Sequence, residues 1–145
     1  MSQSIPSIML KEHNKIKIFL DRFEQELNEN FHSSEKTFIE FKWSLEKHFF
    51  IEEKVIFTVL KSLNKEENED MLNLLKEHKD MLFLIKNIEE HFFKNIKPDI
   101  NNLKKTLLAH AGFENEFFYP KLEIELSEKQ KCLIIEKCKV VMDDY

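Results

Sequence analysis

The chain has 145 residues, a formal charge of −5 and 34% charged side chains, with Lys and Glu interspersed rather than blocked. That length suits one domain with one substantial core, and the lack of a clustered basic face argues against a nucleic-acid partner. One Gly and three Pro leave too little turn chemistry for many short strands, whereas 42% apolar residues, 14 Phe among them, furnish the core of a few long helices.

Pro6 suits a first-turn position and opens a helix over about residues 6–30. Ser33 and Ser34 are N-cap candidates for a second helix ending near Leu63. Asn64 with Glu67 resembles a capping box for a third, running to about Asn95. Pro98 starts a fourth, which Pro120 ends or kinks. Ser127 with Gln130 forms another box, opening a short C-terminal helix over 127–142. The expected fold is therefore all-α: an up-down-up-down four-helix bundle over about 8–122, plus that helix, in a single domain 1–145.

No apolar run is long enough to span a membrane. MSQSIPSIML lacks a basic segment ahead of a long apolar stretch, so no secretory leader is expected. Cys132 and Cys138 lie about 240° apart around one helix and read as reduced thiols of a cytoplasmic protein.

The octets MLKEHNKI (9–16) and LLKEHKDM (74–81) nearly repeat, each around a histidine. At 100° per residue, Met9, Ile16, Leu20 and Leu27 fall about −40°, −60°, −20° and −40° from His13. Leu74, Met81, Ile85 and Phe92 fall at the same angles from His78. Both imidazoles thus border the apolar stripe, and burial obliges each to find a hydrogen bond or a metal.

HFFIEEKVIFTVL (48–60) aligns without a gap with HAGFENEFFYPKL (110–122), placing His48 on His110 and Glu52 on Glu114. A His and a Glu four apart share a helix face. Ile51, Val55 and Val59 turn that face inward in one copy, as Leu103, Phe113 and Phe117 do in the other. The offsets, 65 residues from His13 to His78 and 62 from His48 to His110, describe a duplicated helix pair. Taken singly, each element has a bland reading as a core histidine, a surface ion pair or good helix formers. Together, His13, His48, Glu52, His78, His110 and Glu114 occupy equivalent inward positions and predict a dinuclear metal site in the bundle centre. A mixed imidazole–carboxylate set suits iron or manganese better than the thiolate-rich sets of structural zinc. His32 and His91 have no such partners and read as loop or surface residues. Glu12, Glu53 and Glu77 adjoin the candidate ligands and are candidates to support them from behind, yet beside Lys on helices solvation is the favoured reading.

The order His13, His48-x-x-x-Glu52, His78, His110-x-x-x-Glu114 resembles the hemerythrin-like family of HHE cation-binding domains. The resemblance covers about residues 8–122 and implies two non-haem iron ions, carboxylate- and oxo/hydroxo-bridged, with manganese or zinc less favoured. By position it assigns His13 and His48 to one iron and His78 and His110 to the other, with Glu52 and Glu114 shared. Oxygen-carrying hemerythrins have a further His one turn from the third-helix ligand, where this chain has Leu74 and Leu82, and end on an Asp where it has Glu114. The resemblance therefore implies binding or sensing of dioxygen, nitric oxide or peroxide rather than reversible carriage. Oxidant consumption, iron oxidation and iron storage are the alternatives, with turnover the less expected.

Ferritin-like enzymes use paired Glu-x-x-His motifs, and the single Glu29–His32 fits them poorly. Tyr119, about 180° from His110 on an ideal helix, reads as facing away from the ligands, and Tyr145 is the last residue. Gly112 reads as a close helix approach, and Trp43, Phe49, Phe50 and Phe118 as packing. A monomer or weak homodimer is expected.

Overall fold

A computed structural model describes residues 3–61 and 65–143. The chain is all-helical over the described residues. Helix α1 spans Ile5–Glu29 and α2 spans Phe31–Ile51. The latter runs through a π turn (Glu52–Ile56) into α3 (Phe57–Leu60). Helix α4 spans Lys65–Phe93 and α5 spans Asn101–Phe113, which continues through a second π turn (Glu114–Phe118) into α6 (Tyr119–Glu125). Helix α7, Glu128–Asp143, packs over α1 and the first π turn. The four long segments form the expected bundle.

Local signals explain most ends. Ser4 caps α1 in a reciprocal box with Ser7, one residue ahead of the position read from Pro6. Asn30, not Ser33 or Ser34, precedes α2; Ser34 lies in the first turn and donates its hydroxyl to Phe31 O. The Asn64 box and the expected stop at Leu63 lie outside the described residues. Helix α4 stops through Asn95, whose φ of 59° is the left-handed conformation usual for Gly. Ile96 N–H reaches His91 O (2.8 Å) and Asn95 N–H reaches Phe92 O (3.0 Å), closing the end carbonyls. Ser127 and Gln130 cap α7 as read. Helix α5 begins at Asn101 rather than at Pro98, with Asp99 accepting from its N–H at 3.0 Å. Pro120 neither ends nor starts the helical path; it follows a π turn whose first-half counterpart carries Thr58 at the same place, so proline is not the cause of the turn.

The interior is divided in three along the bundle axis. One apolar core gathers Ile5 and Met9, Ile51 and Leu60, Leu74, Leu122 and Ile134. The other gathers Leu20 and Phe23, Phe41 and Leu45, Ile85, and Leu103. Each fully buried Phe or Leu contributes roughly 1.5–3 kcal/mol, so both cores are strong clamps. Between them, every long helix contributes His or Glu to one buried polar layer.

Candidate metal centre

The layer holds all six residues singled out by the repeat. His13 is 8% exposed, His110 3%, His48 and His78 1%, and Glu52 and Glu114 0%. His13 Nε2 lies 3.0 Å from Glu114 Oε1 and 3.1 Å from His48 Nε2. Glu52 Oε1 lies 3.1 Å from His78 Nε2 and 3.3 Å from His48 Nε2. His110 Nε2 is 3.4 Å from Glu114 Oε1 and 3.9 Å from Glu52 Oε1. Two donor atoms each about 2.1 Å from one ion and at right angles stand about 3.0 Å apart, so these spacings fit cation ligands. Two groups of donors emerge, Glu52–His78–His110–Glu114 and His13–His48–Glu114, each with atoms within 4.8 Å of one another. Glu114 belongs to both.

Without a cation the layer is poorly satisfied. His48 Nδ1, His110 Nε2 and Glu114 Oε2 are buried and lack an aligned hydrogen-bond partner, an arrangement native interiors rarely tolerate unless an ion or water completes it. The electrostatics agree. Burial lowers the basicity of His48, but Glu52 and Glu114 outweigh it and push its pKa up to about 10. His110 is likewise lowered by burial and raised by Glu114 and Glu52, to about 11. Burial raises Glu52, yet the His48 charge and the surrounding hydrogen bonds hold it well below the usual carboxylate range. Burial and Glu52 both raise Glu114, and the adjacent His110 and His13 imidazoles overcome them, leaving it lowered. The raised pKa values of His48 and His110 keep positive charge in the layer, beside carboxylates that would otherwise face a cation.

Three imidazoles are fixed from behind. His13 Nδ1–H donates to Asn115 Oδ1 at 2.8 Å, His78 Nδ1–H to Glu53 Oε2 at 2.8 Å, and His110 Nδ1–H to Glu77 Oε1 at 2.6 Å. Each bond turns Nε2 toward the centre, the orientation a metal-binding imidazole needs. Glu53 and Glu77 are therefore not merely solvated, as their Lys-flanked positions suggested: their carboxylates reach inward from half-exposed positions. Glu12 is buried beside Cys138, whose thiol is pushed up to about 12 by burial and then by the Glu12 charge. Asn115 was missed, though the gapless alignment of the halves sets it on Glu53, and the two residues serve the equivalent histidines.

The π turns correct the remaining expectations. Tyr119 N–H bonds to Glu114 O, and Phe57 N–H to Glu52 O, five residues back rather than four. One extra residue per turn takes roughly 100° off every later position. Tyr119 thereby swings from about 180° to about 80° from His110. It is fully buried and donates its hydroxyl to Glu52 Oε2 at 2.6 Å, so a tyrosine does stand at the site. Burial, then the charges of Glu114 and Glu52, push its pKa well up. By the same rotation Phe118 and Ile56 take the inward places read for Phe117 and Val55. Phe117 is 62% exposed, whereas Val55 stays buried in the core that includes α7's Ile134. Phe113, also read as inward, is 37% exposed although it precedes the second π turn, so the rotation does not account for it. Phe49 and Phe118 are core residues, but Trp43 and Phe50 lie on the exposed outer face of α2.

His32 is exposed, and His91 donates to Asn87 O at 2.8 Å, away from the layer. Cys132 and Cys138 are unpaired. Gly112 makes no close helix contact: a Cβ there would meet nothing within 4 Å. It lines a cleft of about 240 Å3 between α1 and α5 that reaches His13, His48 and His110.

No helix of the described residues is long and apolar enough to cross a membrane. No curated protein and no solved structure matches the chain. The family model for the hemerythrin HHE cation binding domain matches residues 4–122, which contain the whole polar layer, and the chain belongs to that family.

Proposed function

We propose that this cation-binding domain is a non-haem di-iron protein that binds or senses dioxygen, nitric oxide or peroxide. The observation that carries the reading is the pair of donor groups sharing Glu114, which matches two adjacent ions bridged by carboxylate. His13 and His48 would hold one iron, His78 and His110 the other, with Glu52 and Glu114 between them. The imidazole–carboxylate set suits iron or manganese, and zinc less well. Bound iron would supply a redox-active centre able to accept a small ligand. The protein's own contribution is to fix the imidazoles through Asn115, Glu53 and Glu77, to exclude bulk water with two apolar cores, and to leave the α1–α5 cleft open. Unpaired cysteines, one exposed, suit a reducing cytoplasm. We expect a monomer or weak homodimer.

Tyr119 favours a second reading. A buried phenol hydrogen-bonded to Glu52 is an oxidisable group beside the centre, which suits consumption of peroxide or oxidation of ferrous iron. Anaerobic, iron-replete purification followed by metal analysis is the first test, with about two irons per chain expected. Exposing the reduced protein to oxygen then separates the readings. A reversible visible charge-transfer band supports binding, and prompt irreversible oxidation supports oxidant chemistry. Less than one iron per chain, unchanged by His48→Ala or Glu114→Ala, refutes both.

A further inference from the structure

The two halves of the site differ in how they meet solvent. The gapless alignment sets Phe49 on Ala111 and Phe50 on Gly112. Phe49 is buried, stacks on His78 with ring centroids 3.9 Å apart, and meets His110 edge-on at 6.1 Å. It covers the third-helix histidine with aromatic carbon. By the pseudo-two-fold relation, residue 111 stands to His13 as Phe49 stands to His78, and there the side chain is only a methyl group. Gly112 beside it carries none, and the space its Cβ would enter is open. A missing ring in a close-packed interior leaves a void of its own shape. Here the void is the 240 Å3 cleft, with His13, His48 and His110 at its inner end. The exposures agree, since His13 at 8% and His110 at 3% are the most open members of the layer.

We infer that the exchange of Phe-Phe for Ala-Gly makes the site one-sided. Ligands enter between α1 and α5 and reach the His13–His48 end, residues 111 and 112 set the size that passes, and Phe49 seals the His78 end. Ile16, Leu20 and Leu107 make the walls apolar, while the exposed Asn14 and Lys17 lie at the mouth. A small neutral molecule or small monoanion matches that lining. The purpose of the passage rests on the small-ligand reading above; its existence does not.

The test therefore has a metal-free arm and a loaded arm. In the metal-free chain, dissolved dioxygen under pressure serves as a paramagnetic probe of methyl relaxation by NMR. The methyls of Ile16, Leu20 and Leu107 should relax faster than those of Ile51 and Leu74, and Ala111→Phe or Gly112→Leu should abolish the difference. Gly112→Leu has free space to occupy, so it keeps the test alive if Ala111→Phe does not fold. In the iron-loaded chain, azide should associate about tenfold more slowly with either variant, at unchanged iron content. Equal relaxation of methyls on both sides, or a relaxation pattern and azide rate indifferent to both substitutions, overturns the inference. A chain that takes up no iron sinks the small-ligand reading, and the dioxygen arm still decides the cleft.

Discussion

Removing metal should turn the polar layer into a pH-dependent liability, and the sign is fixed by its histidines. In the metal-free chain His48 and His110 have pKa values raised to about 10 and about 11, because Glu52 and Glu114 outweigh the burial that opposes them. Unfolded histidines titrate near 6.5. A folded pKa above the unfolded one gives stability that is complete below about pH 6.5 and lost as pH rises through 10–11. Between those limits each histidine contributes a slope of about 1.4 kcal/mol per pH unit, so from pH 7 to 9 the two together remove on the order of 5 kcal/mol. For a chain of this length that corresponds to a fall in Tm on the order of 10 °C. A bound cation replaces both protons, so the loaded protein should keep its Tm over the same range. Loading at pH 7 should release about two protons per chain. Thermal unfolding at several pH values, with and without metal, measures the first effect, and an indicator dye in weak buffer the second. A metal-free Tm that is flat or rising from pH 7 to 9, with no protons released on loading, would refute the reasoning.

Glu114→Ala should cost more metal than Glu52→Ala, because Glu114 belongs to both donor groups and Glu52 to one; metal analysis of the two variants side by side checks this. Tyr119→Phe removes the only hydroxyl donor seen on Glu52 Oε2 among the described residues and leaves a buried carboxylate oxygen unsatisfied. It should lower metal-free stability by about 1–3 kcal/mol in denaturant titration; an unchanged midpoint would mean the bond carries no weight. Gly112→Ala should stabilise the chain by about 0.5–1 kcal/mol, since the added methyl meets nothing within 4 Å and helix propensity improves. Destabilisation there would mean the backbone does need a close approach.

The helical class, the duplication and the six convergent side chains were legible because each depends on residue type and spacing within one helix. His13 and His78 announce their facing through the apolar residues at their flanks, and His48–Glu52 and His110–Glu114 do so by spacing alone. Side-chain angle around a helix accumulates at 100° per residue, and that count places the four histidines and the two glutamates correctly, though not Phe113 beside them. What it does not carry is the register change at each π turn, where one extra residue lets the ladder slip. Past that point the count is wrong by about a residue, which is why an ideal-helix count points Tyr119 away from the site it enters and Phe117 toward a core it leaves. Asn115, Glu53 and Glu77 were decided by tertiary structure for another reason. A carboxylate or amide on a Lys/Glu-rich surface looks solvated until a neighbouring helix brings an imidazole Nδ1 within 3 Å of it. Sequence thus determined which groups compose the polar layer. Only the packing of four helices around it decided which side chains hold those groups in place, and through Ala111 and Gly112, on which side the layer opens.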